Sequence, residues 1–318
     1  VIRRRVLLGA ALASPALAQP GWPQRSVRIV VPFPPGGSND VIARPLADRL
    51  QARLGVPVVV ENRGGAGGAI GAGVVAQAPP DGHTLLVTSS SFATSAVLQK
   101  TPWDAEASFE CVALLARAPF FVMVNPAFPA GTLAELVALA KAKPGGIDYA
   151  SSGTGGINHF VTEGFCQAAG IRMNQIPYRG TGPAVIDLVA GTVPLLITTV
   201  ASARAPLGER RLRVLAATGP GGGLPPEQPP VPTLKELGID FEVLIWWGLL
   251  APRGLPPEVR ASINAAANAA LGDAGLRRVF DAEGAEPSPA PPEVMSALLR
   301  SDLARWRAVA VAANITAE

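Results

Sequence analysis

Residues 27–50 read VRIVV, then PFPPGGSND, then VIARPLADRL. A run of β-branched residues breaks into a glycine-rich, hydroxyl-bearing loop and then into an amphipathic helix. The same order returns at residues 147–169, which read IDYA, then SSGTGGIN, then HFVTEGFCQAA. A strand that feeds a helix through glycines presents unpaired backbone N–H groups and the positive end of a helix dipole at one point. Such a point binds an anion without any charged side chain. Two of them, more than 100 residues apart, predict two lobes that close on one ligand carrying negative groups.

The bulk numbers allow this. The chain has 318 residues, enough for two α/β domains with their own cores. Hydrophobic residues make up 48% and charged residues only 16%, which argues against disorder. Glycine and proline are abundant but scattered among periodic segments, so they punctuate rather than form low complexity.

Residues 1–18, VIRRRVLLGAALASPALA, have the form of a secretory signal. Arg3, Arg4 and Arg5 form its basic region, Val6 to Leu17 its apolar stretch, and Ala16-Leu17-Ala18 its cleavage site. At roughly 12 residues the stretch is too short to span a bilayer, which takes about 20. The mature chain is expected to begin near Gln19 and to be soluble in the periplasm. The general secretory route is expected ahead of the twin-arginine route, which the arginine pair also permits. The three leader arginines account for the whole formal charge of +3. The basic balance thus belongs to the export segment, and no nucleic-acid partner is expected. Cys111 and Cys166 are expected on separate elements as free thiols.

Beyond Gln19, strands are expected at Val27–Phe33, Pro57–Glu61 and Thr84–Thr88, and helices near Asn39–Leu54 and Ala69–Gln77. Near-continuous Val/Ile/Leu runs mark parallel strands buried on both faces. The apolar run Val112–Val124, interrupted by Pro119, is read as a crossing between lobes. A second α/β set follows: helices Leu133–Ala142, Asn158–Ala169 and Pro183–Ala190 among strands Ile147–Ala150, Asn174–Pro177, Val193–Thr198 and Leu212–Ala217. Gly219–Pro232 reads as an exposed loop and Phe241–Ala251 as a return strand. The tail supplies helices near Pro257–Leu271, Ala274–Ala282 and Pro292–Ala312, with no further strand, packed back on the first lobe. The division is residues 19–119 plus 248–318 for one lobe and 120–247 for the other, with two crossings forming a hinge.

In the first loop, Gly36 and Gly37 let a ligand touch backbone, while Ser38 and Asn39 add short polar groups. Asp40 sits in the first helical turn, where its charge suits the dipole; it is either a ligand contact or an ordinary structural group. Ser151, Ser152, Gly153, Thr154, Gly155 and Gly156 carry more hydroxyls than one helix cap needs, which supports a second cradle. His159, one turn on, faces the ligand or packs. Ser89 and Ser90 end the third strand, at the edge where open α/β sheets bind ligands. Tyr178 opens another helix entry, YRGTGP, in which Arg179 pairs with a carboxylate or lies in an exposed salt bridge. Trp246 and Trp247 read as core or hinge packing. The run Arg63–Gly71 mimics a dinucleotide fingerprint, but its spacing is wrong and no acid ends the next strand, so it reads as a tight turn.

Catalytic constellations are scarce. His83 and His159 are the only histidines, so neither a histidine-based metal site nor a cofactor is expected. No G-x-S-x-G elbow and no Walker loop occur. The chain is read as a monomeric binding protein and not an enzyme. Two alternatives stand beside that reading: a periplasmic sensor receptor for a carboxylate, and an exported hydrolase using Ser151 or Ser152 with His159.

At this point the chain resembles the solute-binding proteins of tripartite tricarboxylate transporters, the Bug or TctC-type family. The segments that carry the resemblance are PFPPGGSNDVIARPLADRL, VPVVVENRGGAGGAIGAGVVAQAPPDGHTLL, SSGTGGINH, YRGTGPAVIDLVAGTV, VPTLKELGI and WWGLLAPRGLPPEV, in family order over nearly all the chain beyond the leader. The resemblance implies the type II periplasmic-binding-protein, or Venus-flytrap, fold: two α/β lobes, a hinge and a cleft. It implies a small di- or tricarboxylate, acidic amino acid or aromatic acid held by backbone amides and hydroxyls, and a membrane permease of two subunits as partner. The ligand-binding set it implies adds Phe33, Pro35 and Thr199 to the residues above. Departures from the family pattern are Gly156 where a serine is frequent, Asn39 for threonine, Phe92 for histidine, and Pro194 for a polar or acidic residue. They shift the expected ligand toward a less polar or aromatic carboxylate.

Overall fold

The computed structural model describes residues 21–316. The expected leader, its cleavage site and the start near Gln19 lie outside these residues.

The first half runs β1 (Val27–Val31), α1 (Ser38–Leu54), β2 (Val58–Asn62), α2 (Ala69–Ala76), β3 (Thr84–Ser89), α3 (Ser91–Leu98) and β4 (Phe109–Pro119). Next come β5 (Phe121–Val124), α4 (Leu133–Ala142), β6 (Asp148–Ser151), α5 (Ile157–Ala169), β7 (Asn174–Pro177), α6 (Thr181–Ala190), β8 (Leu195–Thr198), α7 (Val200–Gly208) and β9 (Arg213–Ala217). The chain ends with β10 (Leu244–Pro252), α8 (Pro257–Leu271), α9 (Ala274–Glu283), β11 (Glu286–Pro287) and α10 (Pro292–Ala312).

These strands form two sheets. One has the order β11-β4-β10-β3-β1-β2 and the other β7-β6-β8-β5-β9. The β-branched runs pair in parallel, β1 with β2 and β3, and β6 with β7 and β8. All of β3 is buried, as expected for a strand covered on both faces. β10 and β5 run antiparallel to their neighbours. These are the strands that enter each sheet from the other one rather than through a helical crossover.

The crossings are compact. β4 ends at Pro119 in the first sheet and β5 begins at Phe121 in the second, so a single residue, Phe120, spans the gap. Thr218, almost fully buried, stitches the two crossings together. Its Oγ1 accepts from the Phe120 amide at 2.9 Å and donates to the Val243 carbonyl at 2.6 Å. Its own amide donates to Phe120 O, and the Val243 amide donates to Thr218 O. The return crossing precedes Leu244, ahead of the 247/248 boundary drawn from the sequence, because β10 lies wholly in the first sheet.

Helices α8 and α10 pack on β4, and α8 and α9 pack on α1. Trp246, Trp247 and Trp306 are fully buried, and Trp246 Nε1 donates to Asp302 at 2.8 Å. Cys111 in β4 and Cys166 in α5 are buried free thiols. The sequence reading missed three elements. The tail does contain a strand, β11, which pairs Glu286 with Arg117 and Pro287 with Ala116. Helices α3 and α7 are the other two, in stretches to which the sequence assigned no helix.

Candidate ligand-binding site

Helices start where parallel strands end, and four of these junctions, two in each sheet, bear on the site. In the first sheet β1 leads into α1 and β3 into α3; in the second β6 leads into α5 and β8 into α7. Because β1 adjoins β3 and β6 adjoins β8, each lobe presents two neighbouring helix N-termini at one sheet edge. Such ends carry orphan N–H groups and partial positive charge. Two contacts bring the edges together. The space a β-carbon would need at Gly155, in the loop before α5, is filled by Leu98 at the end of α3. On the other flank, Gly284 at the end of α9 lies against Val200, the first residue of α7.

The loops before α1 and α5 are built alike. Each has a glycine in the left-handed region, Gly36 at φ 84° and Gly155 at φ 74°, followed by an extended N-cap glycine, Gly37 or Gly156. Each then has a buried asparagine at the second helical position, Asn39 or Asn158. The residue after it reaches back to hold the loop. Asp40 Oδ2 accepts from the Gly36 amide at 2.9 Å, and His159 Nδ1 accepts from the Gly155 amide at 3.1 Å. The second bond places the imidazole proton on Nε2. Asn158 Nδ2 donates to Ile197 O in β8 at 2.6 Å, whereas the Asn39 Oδ1 is buried without a partner among the described residues.

In the first loop only the Gly36 amide is held; in the second, Gly153 donates to Ser151 Oγ, Gly155 to His159 Nδ1 and Gly156 to Gly153 O. The N–H groups of Gly37, Ser38 and Asn39, and those of Thr154, Ile157 and Asn158, have no acceptor among the described residues. Neither loop contains a Lys or Arg. This is a pair of amide cradles, suited to carboxylate oxygens.

Electrostatics match those roles. Burial pushes the Asp40 carboxyl up, but bonds from Arg44, the Gly36 amide and Asn62 outweigh it and leave it below the ordinary carboxylate range. Its oxygens are fully taken: Arg44 bonds both, and Asn62 Nδ2 reaches Oδ1 at 2.9 Å. Burial lowers His159 to about 4, so it is neutral at pH 7. Both residues therefore brace loops from behind. No Ser–His pair is assembled, because Ser151 Oγ accepts from Gln175 at 2.7 Å while His159 Nδ1 serves Gly155.

Ser89 Oγ lies 2.9 Å from Ser91 Oγ, and the Ser90 amide donates to Trp246 O while its buried hydroxyl has no partner among the described residues. Thr199 is the N-cap of α7 and its side chain makes no capping bond. Tyr178 is turned to Asp187 at 2.8 Å; burial and then that carboxylate push its hydroxyl up to about 12. Phe33 is half-buried against the Gly64–Gly68 turn, which accounts for that glycine run as close packing; Pro35 is exposed. Ser152, Gly153 and Thr154 are half-buried.

Two departures look different in three dimensions. A β-carbon at Gly156 would stand 2.6 Å from Ser152 Oγ, so a side chain there would have to displace that hydroxyl. Phe92 is buried, stacked on Trp103 at 5.1 Å and edge-on to Phe109 at 5.2 Å, and does not make the cleft less polar. Sequence reasoning missed Leu98, which abuts Gly155, and Glu283, whose Oε2 accepts from Ser38 Oγ at 2.6 Å. No local pattern marks either one, since both arrive from helices distant in sequence.

Residues 42–315 match the family model described as tripartite tricarboxylate transporter family receptor. The curated relative BugT of Bordetella pertussis (strain Tohama I) is 35% identical over 315 residues, covering 96% of this chain and 96% of its own. Among solved structures, the periplasmic binding protein BugD is 33% identical, with a TM-score of 0.76 over 93% of this chain and 100% of its own. Rpa4515 of R. palustris, solved with adipate, is 33% identical with a TM-score of 0.78 over 93% of this chain and 99% of its own. MatC of Rhodopseudomonas palustris, with bound malate, is 32% identical with a TM-score of 0.75 over 91% of this chain and 99% of its own. With its two α/β lobes and paired helix-start loops, the chain belongs to the TctC/Bug family of periplasmic solute-binding proteins.

Proposed function

We infer that this protein is a periplasmic receptor that captures a small carboxylate between its lobes, performs no chemistry on it, and delivers it to a two-subunit membrane permease. The observation that carries the reading is the matched pair of amide cradles, one per lobe, each with three N–H groups that no oxygen of the described residues occupies. Adipate and malate in the two neighbours support a carboxylate as the ligand class. In this reading Gly37, Ser38, Asn39, Thr154, Ile157 and Asn158 supply backbone donors. Ser89, Ser90, Ser152 and Thr199 line the cleft, and Asp40 and His159 keep the cradles in shape. Delivery to a permease rests on the family and predicts two membrane-protein genes beside this one.

The site has a clean test. A β-carbon at Gly37 would meet only Pro34 O, at 3.6 Å, and its backbone, φ −75° and ψ 163°, suits a β-branched residue. Gly37→Val should therefore fold normally and lose carboxylate binding, because the branched side chain occupies ligand space. For the native chain, stripped of co-purified ligand, a cognate carboxylate at about 100 times its Kd should add about 2.7 kcal/mol of stability. Thermal denaturation with a panel of di- and tricarboxylates, acidic amino acids and aromatic acids measures this. No shift with any of them, or unchanged affinity in Gly37→Val, would place the function elsewhere.

A further inference from the structure

We propose that Glu283 is a specificity-determining residue of the first cradle, favouring a carboxylate that carries an adjacent ammonium group over an unsubstituted carboxylate of the same length. The inference deepens the carboxylate reading above and rests on it.

Glu283 is the last residue of α9. Its Oε2 accepts from the hydroxyl of Ser38, the first residue of α1, at 2.6 Å across a separation of 245 residues. The carboxylate therefore stands at the helix start whose free amides form the first cradle. It is also held there. Arg204 of α7 donates to the carbonyls of Asp281 at 2.5 Å and Ala282 at 2.8 Å. A β-carbon at Gly284 would lie 3.1 Å from Val200, and one at Gly223 would run into the Gly284 backbone. The end of α9 is thus caught between the start of α1 in one lobe and the start of α7 in the other.

Two consequences follow for a ligand. The Ser38 hydroxyl, one of the donors expected for the ligand, is already used. More important, Glu283 forms no ion pair among the described residues. Arg204 spends its guanidinium on main-chain carbonyls instead. A ligand carboxylate on the amides of Ser38 and Asn39 then meets a like charge that no direct salt bridge neutralises, well inside the Debye length of roughly 8–10 Å. A plain dicarboxylate has nothing to offset that repulsion. An α-ammonium group beside the ligand carboxylate would offset it, donating a charge-assisted hydrogen bond to Glu283 while the carboxylate keeps the amides. Discrimination arises from both terms, one repulsive and one attractive.

The test uses matched pairs with and without the α-amino group: succinate and aspartate, glutarate and glutamate, adipate and 2-aminoadipate, 3-phenylpropionate and phenylalanine. Each is titrated calorimetrically into the full mature protein and into Glu283→Gln, which keeps the size and the acceptor for Ser38 and removes the charge. In the native protein the amino member of the best-binding pair should be at least tenfold tighter than its plain partner. In Glu283→Gln that ratio should fall by tenfold or more, with the plain acid binding more tightly than before. Equal melting temperatures of the two unliganded proteins would exclude a folding effect, and Glu283→Ala provides a second charge-free variant. Carboxylate binding with an unchanged ratio overturns the role of Glu283 alone. No binding of any acid to any of the proteins overturns the carboxylate reading, and this inference with it.

Discussion

Asp40 and His159 perform one task with different chemistry. Both sit at the third helical position and accept the amide of the glycine two places before the helix, one through a carboxylate and one through a neutral imidazole. The difference has a pH consequence. His159 is held neutral down to about 4 by burial, while an unfolded chain takes up the proton near the ordinary value of 6.5. Between those values the unfolded state binds more protons, so stability rises with pH. The contribution is complete above about 6.5 and falls as pH drops toward about 4, by at most about 1.4 kcal/mol per pH unit. Urea denaturation from pH 7 to pH 4.5 should show this slope in the native protein and a flatter one in His159→Gln, which still accepts from Gly155. Equal slopes would mean that His159 is not buried neutral. Both residues are identifiable in the sequence, but their direction is not. Whether a polar side chain in a first helical turn faces a ligand or reaches back depends on the backbone of the preceding loop.

At the scale of elements, long periodic segments were legible and short irregular ones were not. Helices α4, α8 and α10 have the bounds expected from the sequence, because each carries an apolar stripe and a clear start and stop. Helix α3, SFATSAVL, is rich in residues that compete for backbone hydrogen bonds. Helix α7 is kinked at Ala203 and contains Pro206, so neither propensity nor period announces it. Strand β11 has two residues and exists only because β4 offers an edge. The hinge was legible as two crossings, but not the hydroxyl that joins them. Thr218→Val keeps the shape and removes Oγ1, leaving the Phe120 amide unpaired in a buried place. It should cost about 1–3 kcal/mol, read as a lower urea midpoint with an unchanged slope. A loss below about 0.5 kcal/mol would show that water replaces the hydroxyl.

For the whole molecule, the expectation is a two-lobe clamp whose ligand stabilises the closed population. Because each lobe owns one cradle, a bound ligand should slow hydrogen exchange at the amides of Gly37, Ser38 and Asn39 and at those of Thr154, Ile157 and Asn158 together. Protection confined to one set would mean that the ligand binds a single lobe. By itself, the sequence determined the two α/β sets, the two glycine loops, the crossings between lobes and the family. Those features are local, written in period, β-branching and glycine placement within some 25 residues. Only the tertiary structure decided which amides stay free, that Leu98 abuts the second loop, and that Glu283 stands at the first. Those depend on contacts between residues up to 245 positions apart, and no local pattern encodes where a distant helix will end. The two loops that announce the fold are therefore its most legible part, while the charge beside them was decided by packing.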